Sequence, residues 1–152
     1  MAYINNWRQA HPEVPVVVVN PNPIALEGVT VRSDIGPQDF LGYIRDARYV
    51  ITNSFHACVF CSVWHTPFSV FPRFQRDTRI QNLLTLTGLT DRMVTPQESG
   101  RPIWERKIDW DCADRAIRAK ADESLEFLRC LITEHAFELG ARRRRNGLWP
   151  FC

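Results

Sequence analysis

Residues 49–56, Tyr-Val-Ile-Thr-Asn-Ser-Phe-His, decide both the fold and the candidate site. The β-branched segment before Asn53 predicts a strand. Asn53 and Ser54 then offer two side chains that favour a helix N-cap, and we expect this helix to extend through His65. The helix is apolar nearly all round, which is typical of a helix packed between two layers. A strand followed at once by a buried helix predicts one unit of a parallel α/β sheet.

Strands and helices alternate on both sides of this unit. The segment Val14–Val19, apolar on both faces, predicts a strand buried in a parallel sheet. Further strands are predicted at Val29–Val31 and Phe68–Phe71, and helices at 3–10, from Pro37, from Asp77 to Gly88, and from Asp109 or Asp111 to about Leu139. The alternation predicts an α/β fold: a three-layer, Rossmann-like parallel sheet with helices on both faces.

The C-terminal part of the chain shows one long helical pattern and no further strand pattern. The last predicted helix carries one apolar face, formed by Ile117, Ala121, Leu125, Leu128, Leu131 and Ile132. The segment after it is basic and then aromatic. We therefore expect one α/β domain over 1–139 and a flexible tail over 140–152.

Composition excludes several classes of protein. The chain has 152 residues, 45% of them hydrophobic and 24% charged, which excludes disordered and fibrous classes. The segment Val16–Val19 is too short to cross a membrane and no signal peptide is evident, so we expect a cytoplasmic protein without a membrane span. The net charge is +2 and four positive charges lie in Arg142–Arg145, so the remainder is near neutral and nucleic acid is not an expected partner.

The segment Thr52–His56 is the candidate ligand site. Ligands of open parallel α/β sheets bind beyond the carboxyl ends of the strands, where helix N-termini point. The free N–H groups and the dipole of a helix N-terminus favour an anion, and the imidazole of His56 could exchange a proton with it. The alternative is that Asn53 and Ser54 are plain caps and that His56 is a buried, hydrogen-bonded side chain.

Arginines follow the next predicted strand and could reach the same edge of the sheet. Arg73, Arg76 and Arg79 all lie in this segment, and a guanidinium binds carboxylate or phosphate in a fork geometry. Arg79, at the start of a helix, is the one that we expect to be held in a fixed orientation; the alternative is plain surface charge. The pair Asp91–Arg92 is interpreted as an ion pair that closes a loop.

Cys58 and Cys61 form a C-x-x-C pattern, which raises a thioredoxin-like redox alternative. Their place inside an apolar helix favours core thiols instead. The five cysteines have no regular spacing, which is typical of free thiols in a reducing compartment, and no metal site is expected. No G-x-G-x-x-G, Walker or G-x-S-x-G motif is present.

The stretch from Asp39 to His56 resembles the polysaccharide pyruvyl transferase family. The resemblance covers roughly residues 37–132, and the run Tyr-Val-Ile-Thr-Asn-Ser-Phe-His is its most specific part. Shorter matching pieces are Pro67-Phe68, Arg79-Ile80, Leu83-Leu84, Gly88-Leu89, Asp91-Arg92, Ile108-Asp109-Trp110 and Ser124 to Leu128.

This resemblance implies a transferase that moves pyruvate from phosphoenolpyruvate onto a sugar of a cell-surface glycan as a ketal. It implies a fold of the GT-B kind, with two Rossmann-like lobes of which this chain is similar to the C-terminal one. The family histidine falls on His56, with a role in proton transfer and donor binding, and the donor-contacting positions fall on Ser54 and Phe55. Some members carry a basic residue where this chain has Ser54, and Ala57 stands where a glycine is usual.

Taken together, these readings make His56 the expected catalytic residue. Asn53, Ser54, Phe55 and Arg79 are the expected substrate-binding residues. Phosphoenolpyruvate is then a donor substrate, and neither a cofactor nor a metal is expected. The expected partners are a glycan or lipid-linked sugar acceptor and a missing N-terminal lobe, and an apolar surface left by that lobe could cause self-association.

Two other functions stay open at this point. The chain could be a non-catalytic lobe that binds an anion or a partner lobe. It could also be a GT-B glycosyltransferase lobe that uses a nucleotide sugar. Such a donor requires an acidic residue, often a glutamate, to hold the ribose. The sequence offers no well-placed one, and only Glu98 and Glu105 stay open for this role.

Overall fold

The computed structural model of the chain describes residues 2–22, 24, 27–71, 78–95 and 101–145. The chain forms two compact units, Met1–Ala113 and Asp114–Cys152. The sequence predicts a division at 139 instead, and that division stays a prediction.

Helices and strands alternate through the first unit, as the sequence predicts. The helices are α1 (Ala2–Ala10), α2 (Pro37–Asp46), α3 (Phe55–Trp64) and α4 (Thr78–Thr87); the strands are β1 (Val17–Val19), β2 (Thr30–Arg32), β3 (Val50–Thr52) and β4 (Phe68–Val70). Among the described residues, 3₁₀ turns follow at Thr90–Arg92 and Ile103–Glu105, and α5 (Trp110–Arg145) begins at the end of this unit. Each predicted element is present. β1, β3 and β4 are shorter than their predicted segments, and β2 has the predicted length but is shifted by one residue.

The strands pair in parallel, which confirms the α/β class. β1 pairs with β2 so that Val19 lies opposite Arg32, and β3 pairs with β4 so that Thr52 lies opposite Val70. Val70 also forms an isolated parallel bridge with Met93. Within the described ranges the strands form two separate pairs rather than one continuous sheet. The three-layer Rossmann-like arrangement therefore stays a prediction.

The main core lies around β4. All three of its side chains are buried, and helices α3 and α4 cover it with Cys58, Cys61, Ile80 and Leu84. The pattern of β1 is different: Val17 and Val19 are each 39% exposed. The expectation of a buried strand at Val14–Val19 is therefore wrong. The β-branched residues do favour an extended backbone, but burial of both faces requires a packed layer on each side, and a β-propensity contains no information about such layers.

The ends of the helices follow the signals in the sequence. Pro37 is the first residue of α2, and Gly36 donates its N–H to the carboxylate of Asp39 at 3.0 Å. Ser54 caps α3, and His65 ends it in the left-handed conformation with φ +56°.

Gly88, at φ +71°, ends α4, where a residue without a Cβ adopts this backbone at no steric cost. Asp77, the expected cap of α4, lies outside the described residues.

The described part of the second unit consists of helical residues of α5. Asp109 accepts the N–H of Cys112 at 2.9 Å and so caps the start of this helix, as predicted. The helix continues through Arg145, beyond the predicted end at Leu139, and residues 146–152 lie outside the described part of the chain. Its predicted apolar face is not buried in the described structure, because Leu125, Leu128, Leu131 and Ile132 are all at least 45% exposed. None of the described helices has the combination of length and apolar character that a bilayer span requires.

Candidate functional site

The first turn of α3 is built by local hydrogen bonds. Ser54 accepts the N–H of Ala57 on its hydroxyl oxygen at 3.4 Å, and its own N–H donates to the hydroxyl oxygen of Thr52 at 3.0 Å. These two bonds fix the turn between the end of β3 and the start of the helix. Among the first residues of α3, the N–H groups of Phe55 and His56 have no acceptor within the described part of the chain. The helix therefore presents the N–H groups that an anion would use.

His56, the second residue of α3, has an exposed side chain. Its ring meets the ring of Phe55 edge to face, with centroids 5.7 Å apart. Within the described residues its imidazole makes no hydrogen bond, so both ring nitrogens are available to a ligand. The alternative of a buried, hydrogen-bonded histidine does not describe this side chain, and its catalytic role stays a prediction.

A cavity of about 520 Å³ lies in front of this turn. It is placed at the carboxyl ends of β1 and β2 and at the N-termini of α2 and α3, which is where ligands of parallel α/β folds bind. Its volume lies in the range of small-molecule sites. The polar side chains that line it include Asn20, Arg32, Ser54 and His56, and the remaining wall is largely apolar.

Arg32 is the one arginine among the described residues that line this cavity. It is the last residue of β2, and its Nε donates to a carboxylate oxygen of Asp34 at 3.2 Å. Hydrogen bonding and attraction by Asp34 raise the pKa of Arg32. A backbone hydrogen bond, with the Arg32 side chain as the next cause, lowers the pKa of Asp34. The pair therefore keeps both charges over the whole physiological range of pH.

Only some of the predicted site residues lie together at the cavity. Ser54 and His56 line the cavity, whereas Asn53, Phe55 and Arg79 do not. Asn53 is exposed at the end of β3. The guanidinium carbon of Arg79 lies 5.6 Å from the centre of the Phe55 ring, so this arginine is held by a cation–π contact beside the first turn of α3. The binding roles of these three residues stay predictions.

Sequence reasoning missed Arg32 although a signal was present. The rule that ligands bind at the carboxyl ends of strands was applied to the third and fourth predicted strands only. The second predicted strand ends at Val31, and Arg32 follows it directly. The same rule applied to that strand would have found this arginine.

Several other candidates fall elsewhere. Arg73 and Arg76 lie outside the described residues, and so does Glu98. Glu105 is exposed and does not line the cavity. Arg92 is 1% exposed and donates to the backbone oxygens of Ile103 and Arg106 as well as to Asp91. It therefore closes a loop, as the interpretation of the Asp91–Arg92 pair indicated.

Cys58 and Cys61 are both fully buried. Burial, with a smaller contribution from Cys58, raises the pKa of the Cys61 thiol to about 12. A redox-active thiol needs the opposite shift and access to solvent. The geometry therefore favours the core-thiol interpretation. Within the described ranges, no group of three histidine, cysteine or acidic side chains is arranged to hold a metal ion.

Comparison with known families gives a match to a family model. Residues 9–73 match the sequence model of the family described as polysaccharide pyruvyl transferase. The matched segment contains the quoted stretch from Asp39 to His56 and the residues of the cavity, and it confirms the resemblance stated from the sequence. The pieces of the resemblance after residue 73 lie outside this match. Neither a search of curated proteins nor a search of solved structures gives a match.

Proposed function

We propose, with the family match of residues 9–73 as the premise, that this chain is the C-terminal lobe of a pyruvyl transferase that moves pyruvate from phosphoenolpyruvate onto a sugar. The observation that carries the proposal is the position of His56. Its exposed imidazole lies at a helix N-terminus, inside the matched segment, and lines a cavity of small-molecule size. An anion site beside a side chain that can give up a proton suits phosphoenolpyruvate, because this substrate carries both a phosphate and a carboxylate.

The reaction requires one proton to reach carbon and one to reach phosphate. His56 delivers a proton to the methylene carbon of phosphoenolpyruvate, which becomes a methyl group, while a sugar hydroxyl bonds to the central carbon and loses its own proton. The carbon–oxygen bond to phosphate then breaks, and a second sugar hydroxyl bonds to the same carbon and closes the ketal. Its proton leaves with the phosphate. The two hydroxyl protons therefore balance the new methyl hydrogen and the protonated phosphate.

The acceptor and the second lobe belong to the same proposal. A ketal needs two hydroxyls of one sugar, so the acceptor is a glycan or a lipid-linked sugar that offers such a pair. The family resemblance implies a facing N-terminal lobe that completes the cleft. Without this lobe we expect donor binding but no turnover, and we expect the exposed apolar surface to favour self-association.

Calorimetry and turnover assays test this proposal. The first measurement titrates phosphoenolpyruvate into the chain, and the second follows phosphate release and the mass of the sugar product with the second lobe present. We expect His56→Gln to lower turnover by about 10²–10⁴-fold, because a positioned acid or base contributes about that much. Its affinity for phosphoenolpyruvate is expected to stay within a few-fold.

His65→Asn is the matched control, because His65 lies at the other end of the same helix in a left-handed conformation that asparagine tolerates. This variant should keep full turnover. Full turnover by His56→Gln would refute the role of His56. Binding of phosphoenolpyruvate without turnover, even with the second lobe, would favour the non-catalytic lobe, and binding of a nucleotide sugar instead would favour a glycosyltransferase.

A further inference from the structure

We infer that Arg32 binds an anionic group of the ligand in the cavity that His56 lines, and this inference rests on the proposed function for the identity of that ligand. Arg32 ends β2 and lies opposite Val19, the last residue of β1. Both residues line the cavity. The parallel pairing therefore places a cation at the strand ends, facing the same space as the first turn of α3.

The side chain of Arg32 is held by one hydrogen bond and keeps further hydrogen-bond donors for a ligand. Its Nε is bound to Asp34, while its two terminal nitrogens donate no hydrogen bond within the described part of the chain. The side chain is 43% exposed, so these nitrogens remain accessible to a solute. A guanidinium fixed by one bond loses less conformational freedom when its remaining donors engage a phosphate or a carboxylate.

The rest of the cavity increases the effect of this charge. Phe40 and Phe60 belong to its apolar wall, and Ser54 marks the positive end of α3. A wall of low polarity lowers the local dielectric constant, so that the attraction between an anion and a cation is stronger than in bulk water. An anion here meets a guanidinium and a helix N-terminus from separate elements.

Arg79 is the competing cation, and its surroundings differ from those of Arg32. Its guanidinium lies over the ring of Phe55, and it is not among the residues that line the cavity. Arg79→Gln is therefore expected to change anion affinity less than Arg32→Gln. The comparison of the two variants decides which arginine binds the anion.

The experiment measures anion binding to the chain by calorimetry. Phosphoenolpyruvate, inorganic phosphate and pyruvate are the probes, because they separate the phosphate contact from the carboxylate contact. We expect Arg32→Gln to weaken phosphoenolpyruvate binding about 10–100-fold, the effect of losing hydrogen bonds to a charged group. Arg32→Lys is expected to recover part of the affinity, because it restores the charge but not the fork.

Arg45→Gln is the matched control. Arg45 is also an exposed arginine bound to a nearby aspartate, Asp46, but it does not line the cavity. Its variant should bind phosphoenolpyruvate like the wild type. Thermal unfolding of each variant tests whether the fold is kept. Binding of phosphoenolpyruvate by Arg32→Lys tests the contact between residue 32 and the anion a second time.

Each outcome is assigned to one of the two claims. If the wild type binds phosphoenolpyruvate and Arg32→Gln binds it equally well, the inference about Arg32 is overturned and the proposed function stands. If the wild type binds phosphate through Arg32 but not phosphoenolpyruvate, the anion site stands and the proposed donor fails. If the wild type binds none of the three probes, both claims fail.

Discussion

The two parallel strand pairs of the first unit have equal lengths and opposite surroundings. β3 and β4 lie against the main core, and Phe68, Ser69 and Val70 are fully buried. β1 and β2 are partly exposed, and their carboxyl ends open onto the cavity. Helix α3 contributes to both regions. Cys58 and Cys61 pack into the core, while His56 and Phe60 line the cavity. The β3–β4 pair therefore supports the main core and leads into the first turn of α3, and the β1–β2 pair supplies strand ends that line the cavity.

Two arginines repeat this contrast. Arg92 follows β4 along the chain and is 1% exposed. It donates hydrogen bonds to the backbone carbonyl oxygens of Ile103 and Arg106. Arg32 ends β2 and lines the cavity, its side chain is 43% exposed, and within the described residues its terminal nitrogens donate no hydrogen bond. A buried arginine whose three side-chain nitrogens all donate hydrogen bonds stabilises a loop, whereas an accessible arginine whose terminal nitrogens donate none is available to a ligand. The difference predicts which substitutions affect stability and which affect binding.

The largest difference in stability is expected between the two strand pairs. Phe68→Ala should lower the free energy of unfolding by about 3–5 kcal/mol, because it opens a cavity in the core. Val19→Ala, on the exposed pair, should lower it by about 0.5 kcal/mol. Urea unfolding measures both, and Phe68→Leu provides a milder core variant in case Phe68→Ala does not fold. Equal losses at the two positions would contradict the contrast between the pairs.

The two arginines should differ by a smaller amount. Arg92→Met is expected to cost about 3 kcal/mol, because the carbonyl oxygens of Ile103 and Arg106 lose a buried donor and Asp91 loses its partner. Arg32→Gln is expected to leave the free energy of unfolding almost unchanged, since exposed ion pairs contribute little. Thermal and urea unfolding of the two variants test this, and a large loss for Arg32→Gln would give Arg32 a structural role.

The smallest of the three expected differences concerns Tyr49, whose hydroxyl forms a hydrogen bond with that of Ser69. Tyr49→Phe should cost about 1 kcal/mol at neutral pH. Burial raises the pKa of Tyr49 in the folded chain above its ordinary value of 10.0. The stability that the protonated phenol provides is therefore fully present below pH 10 and is lost as the pH rises further, by up to about 1.4 kcal/mol per unit.

Urea midpoints at pH 8 and pH 11 test this dependence. The wild type should lose more stability between the two values than Tyr49→Phe does, because the variant has no phenol to ionise at this position. Parallel losses in both proteins would show that the buried hydroxyl has no part in the alkaline transition.

Much of the fold could be predicted from local signals. Pro37 at a helix start, Ser54 at an N-cap and Gly88 after a helix end each act through the backbone of a few neighbouring residues, and each boundary lies where the sequence predicted it. The exposure of β1 was not predictable in this way. Valines favour an extended backbone whether or not a layer covers them, so their sequence does not determine their burial.

The candidate site shows the same limit. Ser54 and His56 were found because they follow a strand within one continuous segment. Arg32 joins them from a position 22 residues before Ser54, through the pairing of β1 with β2 and the packing of α2 against α3. Arg79 was expected in the same place, but its contact with Phe55 holds it beside the turn.

By itself, the sequence determined the alternation of strands and helices, the capped first turn of α3 and the resemblance to a transferase family, because each depends on residues that are near one another along the chain. Only the tertiary structure decided which strand is fully buried, which arginine shares a cavity with His56 and which arginine lies on an aromatic ring. These outcomes depend on the distances between elements, and such distances are set by the packing of side chains that are remote in sequence.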